Sequence, residues 1–284
     1  MVKALSQSRQ IRNGTRLSIA VLGIAVLGAA IGFAFLAGPA LAETPEEKGL
    51  VIAREIDRRD LGWIDSEVDL NMVLTNRNGE SSTRDLRTQS LENTEAGLGD
   101  KGLTIFDKPR DIEGTAFLSH TKITEPDDQW IYLPAIKRVK RISSVNKSGP
   151  FVGSEFAYED LASQEVEKYK YKWLRDEGCG ELQCFVVERY PVYEHSGYTK
   201  QVIWVDQDEY RVMKVEYYDR KSELLKVLVQ SEYQKYLDKH WRPLRMQMDN
   251  MQTGKATTLT FTNYKFRTGV DEGNFTPSRL KRAR

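Results

Sequence analysis

Three histidines, two cysteines, six methionines and a short run of bases are the residues of this 284-residue chain best suited to chemistry. The histidines, His120, His195 and His240, fall in separate segments. None stands in an H-E-x-x-H zinc helix, and the chain has no G-x-S-x-G elbow, P-loop or dinucleotide-binding glycine pattern. Acid–base or nucleophilic catalysis needs a base within hydrogen-bond reach of an acid or nucleophile. The carboxylates show no such pairing. Asp127-Asp128 reads as a turn and Glu159-Asp160 as the start of a helix. These residues exclude a recognisable enzyme, and neither a metal nor a cofactor is expected.

Cys179 and Cys184 are flanked by Gly178 and Gly180, so the chain can turn tightly between them. In an oxidising compartment they form a disulfide, worth roughly 2 kcal/mol by loop entropy. The rival reading, a metal or redox pair, lacks the C-x-x-C spacing and a nearby histidine. Met72, Met213, Met246, Met248 and Met251 fall in or beside extended segments, and flexible thioethers suit ligands of variable shape or ordinary core filling. From Leu133 to Ile142, Lys137, Arg138, Lys140 and Arg141 interleave with Ile136, Val139 and Ile142. Such a tract is either a solvated basic face or a docking patch for phospholipid headgroups or an acidic partner.

The N-terminus sets the compartment. Lys3, Arg9, Arg12 and Arg16 precede Leu17–Ala37, which carries no charge, and Gly38-Pro39-Ala40-Leu41-Ala42 closes the stretch before Glu43. A basic region, an apolar region and a small-x-small end make a secretory signal, with cleavage expected after Ala42. An uncleaved inner-membrane anchor is the alternative, since the apolar run is long enough to span a bilayer. The whole chain carries 42 basic and 41 acidic residues. Four of those bases lie in the signal, so residues 43–284 hold 38 against 41, a net −3. That balance and an exported destination exclude nucleic acid as a partner.

Residues 43–284 read as one β-rich domain in the periplasm. Thr44, Pro45, Glu46 and Glu47 open a helix with Leu50, Ile52, Ala53 and Ile56 on one face, ending at Gly62. Val68, Leu70, Met72 and Leu74 then alternate with polar residues as a half-buried strand, and Asn76-Arg77-Asn78-Gly79 is a hairpin turn. The next segment, Glu80 to Leu91, is polar on both faces and reads as an exposed or edge strand. Further short extended segments follow to Phe266, with turns between them, an antiparallel meander of about ten strands. Ser143–Gln164 is the exception, a long loop with one helical turn. A sheet of this size curls, and one helix covers part of its concave face.

Several blocks carry a family resemblance. Asp127-Asp128-Gln129-Trp130-Ile131-Tyr132-Leu133-Pro134-Ala135 with the basic tract, Gly114–Leu118, Gly153–Leu161, Val215–Asp219 and Gln252–Lys255 occur in order along the chain. Together they resemble the outer-membrane lipoprotein-sorting (LolA-like, LppX-like) periplasmic lipid carriers, in a branch associated with inner-membrane exporters of the RND/MMPL type. The resemblance implies a mainly β, incomplete antiparallel barrel with an N-terminal helix and a short lid helix on its concave side. It implies a monomeric carrier without catalysis, sheltering lipid or lipoprotein acyl chains for transfer towards the outer membrane. The inward-facing residues expected to line its cavity are Val68, Leu70, Met72, Leu74, Trp130, Tyr132, Met246 and Met248. Phe151, Phe156, Tyr158 and Leu161 would form the lid. The alternative is an accessory subunit that docks on such an exporter through Lys137, Arg138, Lys140 and Arg141.

Overall fold

The computed structural model describes residues 43–282 apart from Ala96. The expected signal lies outside the described residues. Helix α1 spans Pro45–Asp60 and begins with a capping box: Glu47 N donates to Thr44 Oγ1 at 3.1 Å, and Thr44 N donates to the Glu47 carboxylate at 2.8 Å. Its buried positions are Gly49, Ile52 and Ala53, with Leu50 and Ile56 half-buried beside them.

Thirteen antiparallel strands form one sheet, three more than the alternation of residues led us to expect. The first six are β1 Asp65–Thr75, β2 Ser81–Leu91, β3 Leu98–Lys108, β4 Ala116–Lys122, β5 Asp128–Leu133 and β6 Arg138–Ile142. The other seven are β7 Tyr169–Cys179, β8 Leu182–Pro191, β9 Lys200–Asp206, β10 Val212–Tyr218, β11 Leu224–Tyr236, β12 His240–Asn250 and β13 Ala256–Phe266. The spatial order is β6-β5-β4-β3-β2-β1-β13-β12-β11-β10-β9-β8-β7. Two meanders are therefore joined where the first strand pairs with the last, Met72 facing Leu259 and Leu70 facing Phe261. The edges, β6 and β7, do not pair, so the barrel stays open.

That topology explains the long loop. Residues 143–168 connect one free edge to the other and cross the concave face as a strap. The strap holds short 3-10 turns, Ser144–Asn146, Phe151–Gly153, Tyr158–Leu161 and Val166–Lys168, in place of a single lid helix. The main core lies between this strap, α1 and the concave face. It joins Ile52, Met72, Phe106, Phe117, Phe151, Phe156, Ile203, Leu228, Met248 and Leu259. Two smaller clusters lie on the convex side, one around Leu103, Leu118, Phe275 and Leu280, the other around Cys184, Val186, Val202 and Trp204.

Strand β2 is central, between β1 and β3, although its polar sequence reads as an edge. Leu86 alone is deeply buried there. Its other groups bond across strands: Asn71 donates to Asp85 at 2.9 Å, and Thr88 and Thr104 hydroxyls meet at 3.1 Å. A strand whose inner face borders open space does not need a hydrophobic pattern to be central.

Candidate functional site

Val68 and Leu70 line a cavity of about 240 Å³ open at the end of the sheet where β1 begins. Trp63, Thr88, Phe261, Tyr264 and Arg242 complete most of its wall. Its wall is mixed: Val68, Leu70, Trp63 and Phe261 give apolar surface, and Ser66, Thr88, Ser90 and Arg242, whose Nη1 donates to Asp60 at 2.5 Å, are polar groups within the same lining. Met72, Leu74, Met246 and Met248 share the concave side, but they pack into the closed core and leave the cavity wall to their neighbours. Met72 is 2 % exposed and Met248 0 %.

Trp130 and Tyr132 do not join them. In β5, Ile131 faces the concave side with Phe117, so the alternation sends Trp130 and Tyr132 to the convex side with Leu118 and Ala116. There they pack beneath Phe275 and Leu280 of the C-terminal segment. His120 stands edge-on to Trp130, and its Nε2 lies 2.8 Å from the carbonyl of Phe275. An aromatic pair flanking an apolar residue does not by itself say which side is inward. Trp63, Phe261 and Tyr264 were missed by the sequence reading. The Leu259/Phe261 alternation was a usable signal for one of them; Trp63, in a linker after α1, offered none.

The strap is held by apolar and polar contacts. Phe151 is 2 % exposed, with its ring 5.7 Å from Phe106, 5.2 Å from Phe117 and 5.6 Å from Tyr158. Phe156 is buried and Leu161 half-buried on the same core. Next to these sit buried ionisable groups. The Asp160 carboxylate accepts from Lys226 Nζ at 2.6 Å, Ala157 N at 2.7 Å and Tyr198 OH at 2.8 Å. Glu159 accepts from Tyr193 OH, Ser196 Oγ and Gly197 N at 2.8–2.9 Å, with no base paired to it. Burial, then the neighbouring Asp160 charge, pushes the Glu159 carboxyl up. Lys168 pairs with Asp127, whose backbone carbonyl accepts from Lys147.

Lower on the strap, burial drives Glu165 up to about 7 and Asp100 up to about 6; charge from Asp100 adds to the Glu165 shift, and Ser163 Oγ donates to Asp100 at 3.2 Å. These carboxylates gather beneath and within the strap. Asp160, Glu159, Asp127 and Asp100 are bound to hydroxyls, amides or lysines, an arrangement that fastens a segment; Glu165 is buried beside Asp100. Among the described residues no three His, Cys, Asp or Glu side chains converge as metal ligands.

The basic tract sits away from the cavity. Lys137 takes a left-handed conformation (φ 52°) in the β5–β6 turn, at the strand ends opposite the groove mouth. Arg138, Lys140 and Arg141 lie exposed on the edge strand β6, with Arg141 ion-paired to Asp128. Charged side chains on an edge oppose edge-to-edge pairing of sheets. Cys179 and Cys184 form a disulfide across the end of the β7–β8 hairpin, Cα atoms 5.8 Å apart.

An open, strap-covered antiparallel half-barrel with an apolar concave face is the class of molecule these features define. The comparisons agree. A family profile described as an uncharacterised protein matches residues 99–282. An outer membrane lipoprotein-sorting protein domain from Vibrio parahaemolyticus is 56 % identical, with TM-score 0.81, over 83 % of this chain and 99 % of that one. A DUF1329 family protein from Desulfovibrio piger is 30 % identical, with TM-score 0.79, over 84 % of this chain and 99 % of that one. A LolA superfamily protein from Nitrosomonas europaea shares the fold at TM-score 0.64 and 20 % identity, over 80 % and 97 % of the two chains. No curated protein matches the sequence. The chain belongs to the DUF1329 family. No helix among the described residues is long and apolar enough to cross a membrane.

Proposed function

We propose that this chain is a non-catalytic periplasmic carrier that shelters acyl chains of lipid or lipoprotein on the concave face of its half-barrel, for transfer towards the outer membrane. The observation that carries this reading is the open groove whose apolar side chains Leu70 and Phe261 also pack on the large apolar core of the concave face, which a strap covers. The lipoprotein-sorting name of the Vibrio parahaemolyticus domain supports it.

Magnitudes say how a chain would enter. At about 240 Å³ the groove falls below the ~300–1,000 Å³ common for small-molecule sites. It admits one end of a chain with the strap closed. Lifting the strap exposes Phe151 and Phe156, which costs roughly 3–6 kcal/mol for the two rings. Each buried CH₂ returns about 0.8 kcal/mol, so about four to eight methylenes offset the rings. An acyl chain has more than that, and the remainder can meet the polar fastenings.

Fluorescent fatty-acid uptake, together with native mass spectrometry of protein purified from membranes, tests the reading. Uptake, a co-purified lipid, and a several-fold loss of uptake in Val68→Trp, which fills the groove, are expected. No bound lipid and no uptake would overturn it.

A further inference from the structure

Strand β6, Arg138–Ile142, ends the sheet and has a neighbour on one side only. That neighbour is β5, with Tyr132 opposite Val139 and Trp130 opposite Arg141. Among the described residues no other backbone group bonds to residues 138–142, so the outward N–H and C=O groups of the strand are unpaired. The second edge, β7, is not left in this way. Helix α1 packs on its backbone so closely that a Cβ on Gly49 would lie 2.9 Å from Lys172 N.

A row of free donors and acceptors is a template for another extended chain. The side chains around it select which chain. Arg138 and Lys140 belong to the face of Leu133 and Ile131, and Val139 and Arg141 to the opposite face, with Tyr132 and Trp130. On that opposite face Leu280 packs with Val139, and the turn Leu280–Arg282 brings the exposed Lys281 and Arg282 against β6.

With Lys137 of the β5–β6 turn and Lys122 of β4, seven bases surround the edge. Asp128 is shared by Arg141 and Lys122, and Glu125 pairs with Lys122. Asp111 and Glu113 flank the segment where Gly114 meets Pro134. With both counted in full, and Arg110 beside them left out, the bases still exceed the acids by three. Lys137, Arg138, Lys140, Lys281 and Arg282 have no carboxylate at ion-pair distance among the described residues. Two aliphatic side chains flank the strand, Ile136 before it at 49 % exposed and Val145 after it at 60 %. Bases along an edge keep copies of this chain from pairing with one another. That protection requires neither the second set of bases from the C-terminal segment nor an exposed aliphatic at each end.

We propose that β6 is a docking edge for an acidic, extended segment of a partner protein, which adds to the sheet as a fourteenth strand. Main-chain hydrogen bonds hold the segment. Its carboxylates meet Arg138 and Lys140 on one face and Arg141, Lys281 and Arg282 on the other, and apolar residues at its ends cover Ile136 and Val145. The edge lies away from the groove, and the proposal does not rest on the carrier reading.

The probe is a fluorescein-labelled peptide, Val-Glu-Glu-Thr-Glu-Glu-Val, with carboxylates on both faces of an extended chain. It is titrated into the full chain by anisotropy, and amide hydrogen exchange is read on the same mixture. Recognition through backbone and charge requires no particular sequence, so the peptide should bind and slow exchange within residues 138–142 by about tenfold or more. A peptide with Lys for every Glu should not bind. One with Pro for Thr, equal in charge but interrupted as a ladder, should bind about tenfold more weakly or worse. Arg138→Glu/Lys140→Glu, at two exposed positions, should weaken binding by about tenfold or more while melting at the parent temperature. Exchange unchanged by an excess of the acidic peptide would overturn the proposal. So would equal binding of the proline peptide, which would make the contact one of charge alone. Phosphatidylglycerol vesicles that protect residues 138–142 where the peptide does not would assign the edge to lipid headgroups instead. Fatty-acid uptake without peptide binding sinks this proposal alone; peptide binding without uptake sinks the carrier reading alone.

Discussion

Asp160 and Lys226 are each 4 % exposed in their side chains and meet at 2.6 Å under the strap. Removing one partner of such a pair leaves a buried charge without compensation, which costs about 3–5 kcal/mol, whereas removing both is far milder. Lys226→Met should therefore lower the unfolding free energy by about 3–5 kcal/mol, and Lys226→Met/Asp160→Leu should recover most of it, measured by urea denaturation. A double variant as unstable as the single one would show that the pair does not act as a unit. Asp100 and Glu165 make the complementary case. Both have folded pKa values above the ordinary 3.8 and 4.5, at about 6 and about 7, so the folded state holds protons that the unfolded chain has released. Their stabilisation is present below about pH 4 and lost as pH rises through 6 and 7. Glu165→Gln should flatten that decline by an amount on the order of 1–2 kcal/mol, read from unfolding free energies between pH 4 and 8. Nothing in the sequence marked these partnerships, since Asp160 and Lys226 lie 66 positions apart.

At the scale of elements, α1 and β7 touch through a glycine. A Cβ on Gly49 would lie 2.8 Å from Trp173 N and 2.9 Å from Lys172 N, both backbone atoms that cannot step aside. In an exposed helix Gly→Ala gains about 1 kcal/mol. Here overpacking costs about 1–3 kcal/mol and opposes it. Gly49→Ala should thus fail to stabilise and lower the melting temperature, while Val51→Ala on the exposed face stays near neutral. A rise in melting temperature for Gly49→Ala would mean that the helix can back away. The helix itself was legible: its cap, its apolar stripe and its end all follow from local residue types. The strap was legible as a loop, yet its 3-10 turns and its crossing follow from the two open edges it must connect. Strand β6 was ambiguous because its exposed bases leave no inward pattern.

The whole molecule depends on the seam between β1 and β13, which unites two meanders into one sheet. Thr260 lies within it, paired with Asn71 on one side and Arg245 on the other. Thr260→Pro removes a ladder donor in a central strand and should abolish the single cooperative unfolding transition, seen by calorimetry. One transition at an unchanged temperature would show that the halves do not rely on the seam. The residues themselves determined a β-rich domain, the capped helix, the first hairpin and the cysteine pair, because each is set by neighbours a few positions away. Tertiary structure alone decided that polar β2 is central, that Trp130 and Tyr132 turn outward under the C-terminal segment, and that the cavity opens beside Trp63. Those outcomes depend on which distant strand supplies the partner, and a period-two pattern carries the alternation of a strand but not the side on which the core forms.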